Sequence, residues 1–147
     1  MMFFGHKVTA LERNPILAAL LSNAFSRAEK DDKLGKIFKD QMNFVHCSVS
    51  QFLEQNEVGE KVIYFDPMFA THSGKKALSS KQMQFVSLCA GEDLDFEVVL
   101  EGLLRSAAKY VIVKRPDKSP ELKQKPFEVI KGKTVQYEKY ACRSRAF

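Results

Sequence analysis

Val62-Ile63-Tyr64-Phe65-Asp66-Pro67-Met68-Phe69 is the stretch whose reading decides the fold. Its first half is an unbroken apolar run of β-branched and aromatic residues, the pattern of a strand buried on both faces. Asp66-Pro67 ends the run, because a proline cannot extend a ladder. An acid at the carboxyl end of a buried parallel strand looks into the crevice where open α/β sheets take their ligands. Asp66 is therefore a candidate site residue, although the octapeptide alone reads equally well as a strand closed by an Asp-Pro turn.

Working outward, the segments on either side supply strands and helices in alternation. Residues 6–12 form a short strand ending in Glu12, after which Asn14 caps a helix and Pro15 occupies its first turn, where a missing N–H costs nothing. Ile16, Leu17, Leu20, Leu21 and Phe25 lie on one face of that helix, and 27–39 is read as a charged, solvated stretch. Residues 42–46 are the next strand, 48–53 a short helical segment, and 57–60 the turn into the central strand. Beyond Phe69, residues 70–80 form a polar loop and 81–88 a helix. Asp93 or Asp95 then caps a longer helix with Phe96, Val99, Leu100, Leu103, Leu104 and Ala107 on one face. Residues 110–114 are another buried strand, and 127–130 with 134–140 are an antiparallel hairpin. This order predicts an α/β sheet, mostly parallel, with an antiparallel C-terminal hairpin at its edge.

Size and composition narrow the function classes. A chain of 147 residues is expected to be one domain with a real core. No run approaches the ~18 apolar residues of a membrane span, and the first residues lack the features of a signal peptide, so a cytoplasmic protein without a membrane partner is expected. Cys47, Cys89 and Cys142 are widely spaced, which indicates neither disulfides nor a zinc site, and the histidines lack metal-ligand spacing, so no metal is expected. The formal charge of +5 is asymmetric: 109–147 carries eleven basic residues against four acids, +7, leaving −2 for the preceding 108. Such a block is either a nucleic-acid footprint or a solvated face.

Two acids, Glu12 and Asp66, end different strands. The acid ending the second strand of a dinucleotide-type unit accepts hydrogen bonds from ribose hydroxyls, and Glu12 fits that role. An acid followed by a proline and an aromatic suits another task, holding an exocyclic amine: Asp66 and the Pro67 carbonyl accept its protons while Phe69 stacks on the base. Lys75, Lys76 and Lys81 in and after the polar loop, with Lys114 and Arg115 at a strand end, are candidates for RNA phosphates.

Taken together, Glu12-Arg13-Asn14-Pro15, His46-Cys47-Ser48, Asp66-Pro67-Met68-Phe69, Val113-Lys114-Arg115-Pro116 and the closing hairpin occur in the order found in the ribosomal RNA small subunit methyltransferase J family, which the chain resembles over nearly its whole length. The resemblance implies a Rossmann-like class I methyltransferase sheet and S-adenosylmethionine as cofactor. It implies an enzyme that methylates the exocyclic N2 of a guanine in small-subunit (16S) ribosomal RNA. By the same resemblance Glu12 and Arg13 contact the cofactor, Ser48 and Val49 lie by the adenine, and Asp66 sits between cofactor and target amine. Ala70 departs from the family's usual proline.

A glycine-rich turn belongs about 20 residues before the ribose acid, yet only eleven residues precede Glu12. The expectation is a single methyltransferase domain, 1–147, truncated at its N-terminus, with the first strand and glycine loop missing. The competing expectation is a non-catalytic RNA-binding or interaction remnant. A nicotinamide-dependent oxidoreductase would keep Glu12 but leave 66–69 unexplained. The sequence leaves the target nucleotide and the oligomeric state open.

Overall fold

The computed structural model describes residues 5–59, 61–68, 85, 88–91 and 93–142. They belong to two compact units, one of 1–52 with 79–90 and one of 53–78 with 91–147.

The first unit is built on strand β1 (Val8–Glu12), helix α1 (Pro15–Ala28), helix α2 (Gly35–Gln41) and strand β2 (Met42–His46). β1 and β2 run parallel, in register from Val8 opposite Met42 to Glu12 opposite His46. The cap anticipated at Asn14 is present. Its Oδ1 accepts the N–H groups of Ile16 at 3.0 Å and Leu17 at 3.1 Å, with Pro15 in the first turn. The Asn14 side-chain amide also donates to the Cys89 carbonyl, which ties a distant segment to this corner. Phe25 of α1 meets Phe38 of α2 at 5.8 Å and Phe44 of β2 at 5.3 Å between ring centroids, so three elements share one aromatic cluster.

Two expectations change here. The stretch read as solvated, 27–39, contains the start of α2. Asp31 makes that start: its Oδ1 accepts from Leu34 N–H at 2.9 Å and Lys33 N–H at 2.8 Å, bonds that hold its carboxyl below the usual range. The helix then packs through Phe38, a single aromatic that a charge count does not weigh. The apolar face of α1 is also only partly used. Ala18 is buried, whereas Ile16 and Leu20 are each 53% exposed, because a pair of strands offers a surface narrower than the helix's apolar stripe.

Helix α3 (Val49–Gln55) follows β2 and begins with a capping box. The Ser48 N–H donates to Gln51 Oε1 at 3.0 Å, and Gln51 N–H donates back to Ser48 Oγ at 3.2 Å.

The second unit contains strand β3 (Val62–Phe65), helix α4 (Phe96–Arg105), and strands β4 (Tyr110–Pro116), β5 (Glu128–Lys131) and β6 (Val135–Ala141), in the sheet order β3-β4-β6-β5. β3 and β4 are parallel, with Val62 opposite Tyr110 and Phe65 opposite Val113. β6 is antiparallel to both β4 and β5. Among the described residues the elements are thus mixed α/β, with parallel pairs, an antiparallel C-terminal hairpin and no sheet closed into a barrel, the class the alternation of elements predicted. Phe96, Leu100 and Leu103 on α4 bury against Val111 and Val113 of β4, and the Phe65 ring stacks on Phe96 at 5.7 Å. That face is the core. The opposite face is more open: Val62 and Tyr64 are exposed, so β3 is not the strand buried on both faces that its composition suggested. Among the described residues it has one ladder partner and one covering helix, and alternate side chains of an edge strand then point to solvent.

Two glycines give opposite expectations. A Cβ at Gly35 would stand 2.5 Å from the Glu29 carbonyl oxygen, whereas one at Gly102, inside α4, meets nothing within 4 Å. Gly35→Ala should therefore lower stability by about 1–3 kcal/mol through backbone overpacking. Gly102→Ala should raise it by about 0.5–1 kcal/mol through reduced unfolded-state freedom. Urea midpoints at unchanged slope measure both.

Candidate active site at the carboxyl end of β3

The segment after β3 is held by a residue that the sequence reading assigned elsewhere. Asp93 Oδ2 accepts the Met68 N–H at 2.6 Å, and the Asp93 N–H donates to the Met68 carbonyl at 3.0 Å. One aspartate therefore pins both backbone groups of Met68, and Pro67 just before it is buried. The sequence offered Asp93 or Asp95 as a helix cap. Asp95 occupies the cap position of α4 without a side-chain cap bond, while Asp93 holds the turn. No local spacing signals such a role, since the partners are 25 residues apart.

Asp66 projects from this pinned turn. Asp66 follows Phe65 and Lys114 follows Val113, its ladder partner, and Lys114 Nζ donates to Asp66 Oδ2 at 2.9 Å. The hydrogen bond to Asp66 raises the Lys114 pKa, more than partial burial lowers it. Tyr64, on the same face two residues before Asp66, has its phenol pushed up by burial first and by the Asp66 charge second. Tyr137 completes the group as the β6 residue opposite Lys114. The result is an ionised, half-exposed pair bordered by two phenols at the carboxyl end of two parallel strands.

Arg115 requires a correction. Read from sequence as a phosphate contact beside Lys114, it points to the opposite face and is 4% exposed. Its Nη1 donates to both Glu138 carboxylate oxygens, at 2.8 and 3.0 Å, and Nη2 donates to the Pro120 carbonyl. Glu138 also accepts from the Gln136 amide at 2.7 Å and from the Tyr140 hydroxyl at 2.6 Å. Burial, then that carboxylate, drive the Tyr140 phenol well above its ordinary range. A guanidinium so enclosed is a structural cation linking β4, β6 and the 117–126 connection. Strand alternation made the difference, since neighbouring residues face opposite sides.

In the first unit, Glu12 ends β1 and its Oε1 accepts the Asn14 N–H at 2.7 Å. One carboxylate oxygen is thereby fixed by the main chain, which suits the other to accept ribose hydroxyls. Arg13 follows, exposed. Ser48 and Val49 open α3, where the Ser48 hydroxyl is engaged by Gln51; the capping box accounts for the serine without a ligand. Phe69, Lys75, Lys76 and Lys81, together with the 70–80 loop and most of the helix read over 81–88, lie outside the described residues.

The chain that carries Glu12 and Asp66 at these strand ends is similar to known proteins over most of its length. A family model described as "Putative SAM-dependent methyltransferase" matches residues 1–142. The chain belongs to this family. Ribosomal RNA small subunit methyltransferase J of Shewanella oneidensis is 37% identical over 137 residues, covering 92% of this chain and 55% of that protein. Its counterpart in Vibrio parahaemolyticus is 37% identical over 150 residues, covering 97% and 58%. The chain thus spans little more than half the length of these relatives. Among solved structures, a SAM-dependent methyltransferase from Neisseria gonorrhoeae superposes with a TM-score of 0.67 at 24% identity, covering 96% of this chain and 55% of that one, which shows the methyltransferase fold.

In this family member the Arg115–Glu138 pair should matter for stability. Arg115→Met leaves Glu138 buried without its cation and should cost about 3–5 kcal/mol. An unchanged urea midpoint would return Arg115 to the surface cations.

Proposed function

We propose that this chain serves S-adenosylmethionine-dependent methyl transfer to the exocyclic N2 of a guanine in small-subunit ribosomal RNA. The observation that carries the proposal is the Asp66-Pro67 turn at the carboxyl end of a parallel strand, pinned by Asp93, in a chain of the methyltransferase family. That its relatives are named ribosomal RNA methyltransferases adds support for ribosomal RNA as the substrate class.

When bound, S-adenosylmethionine supplies an electrophilic methyl group on a positively charged sulfur. Glu12 fits the cofactor's ribose, because Asn14 fixes one of its oxygens and both ribose hydroxyls can share the other. Arg13 and Val49 would lie along the same ligand, with Ser48 contributing mainly through the start of α3. Asp66 and the Pro67 carbonyl accept the two protons of a guanine amine, which turns its nitrogen lone pair outward for attack, and Phe69 stacks on the base. Asp66 acts here as a hydrogen-bond acceptor, and the methylated nitrogen gives its extra proton to solvent after attack. Lys75, Lys76 and Lys81 would meet phosphates.

Calorimetric titration of the chain with S-adenosylmethionine tests the cofactor half of the proposal. Saturable binding is expected, weakened at least tenfold by Glu12→Ala. RNA binding without cofactor binding would favour an interaction module instead. Methyl transfer to small-subunit RNA tests the other half. Asp66→Ala should abolish it, and a transcript with inosine at the target guanine should accept no methyl group. Retained transfer in either case would remove Asp66 as the amine acceptor.

A further inference from the structure

A carboxylate can accept about four hydrogen bonds, so an acid that must present one oxygen to an incoming amine needs its other oxygen held. Asp66 has such a holder. Lys114 Nζ donates to Oδ2 at 2.9 Å, while among the described residues no hydrogen bond reaches Oδ1. The lysine side chain is 34% exposed and the aspartate 45%, so the pair is open on one side. The arrangement is not a chance meeting of long surface side chains, because Lys114 sits on β4 next to Val113 and Asp66 follows Phe65, the ladder partner of Val113. Tyr137 opposite Lys114 and Tyr64 two residues before Asp66 border the lysine on either side. The sequence alone would send this lysine to an RNA phosphate, but here its ammonium is already engaged.

We propose that Lys114 is a positioning residue for Asp66: its ammonium fixes Oδ2 so that Oδ1 faces the amine of the target base. The role rests on the reading of Asp66 as amine acceptor. It also narrows the substrate class. An ammonium beside the acceptor repels a protonated aliphatic amine and admits a neutral aromatic amine, whose lone pair is the group that reacts. Asp66 alone would favour the cation.

The raised Lys114 pKa fits this role. The groups facing it are Asp66 and Tyr64 from β3 and Tyr137 from β6. With its pKa raised by that hydrogen bond, Lys114 stays charged throughout the neutral range, so the ammonium side of the contact is kept near pH 7.

The phosphate role and the positioning role predict different changes. In methyl transfer, loss of a positioning contact at the acceptor should lower kcat by about 10–100-fold, because small misplacement of reacting groups is costly. KM for RNA and the salt dependence of binding should stay as they are. Loss of a phosphate contact should instead raise KM, leave kcat, and reduce the salt slope by about one.

The test uses the full chain with its aspartate carboxyl carbons labelled for NMR, the Asp66 signal being assigned from Asp66→Asn. Guanosine is the probe, and inosine, which lacks the 2-amine, is the control. The Asp66 signal should move with guanosine and not with inosine. Lys114→Met should weaken that response at least tenfold and lower kcat, with the thermal midpoint little changed, and Lys114→Arg should restore both by donating to the same oxygen. An undiminished guanosine response in Lys114→Met, or a change confined to KM and salt slope, would overturn the proposal while leaving Asp66 as acceptor. If the unmodified chain's Asp66 ignores guanosine, the acceptor reading itself fails and the positioning role falls with it.

Discussion

In a parallel ladder each residue has a fixed neighbour, and the pairing of Phe65 with Val113 brings the next residues, Asp66 and Lys114, within reach of each other at the carboxyl end of β3. Much of the second unit serves that pairing. Phe65 is held by stacking on Phe96, and Val113 is buried beneath Leu100 and Leu103, so the side chains pointing down fix the strands whose other side chains point up. Burial on one face and chemistry on the other are separated by a period of two along β4, while Asp66 stands in the turn directly after β3. The turn beyond β3 is then pinned from outside by Asp93, which removes the freedom an Asp-Pro-Met segment would otherwise have.

The polar interior around Arg115 shows a different balance. Taking a guanidinium and a carboxylate out of water costs several kcal/mol each, and the attraction between them compensates only when the remaining donors and acceptors are engaged. Here Glu138 receives Arg115, Gln136 and Tyr140, and Arg115 also reaches the Pro120 carbonyl. The network is thus a specification of register as much as a source of stability. It joins the end of β4 to the middle of β6 and anchors the connection between β4 and β5, so the hairpin cannot slide by a residue without burying unpaired charge.

Most of the elements were legible because their signals are local. The Asn14-Pro15 helix start, the apolar face of α4 and the strand over 42–46 follow from caps, periodicity and β-branched runs read within a dozen residues. α2 was not legible, because a glycine, an Asx-type turn at Asp31 and a single half-buried aromatic make it, in a stretch whose charges dominate the count. Glu12 and Asp66 were legible as acids at strand ends, while the part Asp93 plays was missed because it depends on a contact between segments remote in sequence.

The sequence by itself determined the alternation of strands and helices, the methyltransferase resemblance and the two acids at strand ends, since each depends on residue type and short spacing. Only the tertiary structure decided what the neighbouring cations Lys114 and Arg115 do. They are adjacent in the chain and alike in charge, yet one lies on the open face against Asp66 and the other on the buried face against Glu138. The physical reason is the strand's alternation combined with which face α4 covers: the first is written in the sequence, but the second emerges only when helix and sheet pack together.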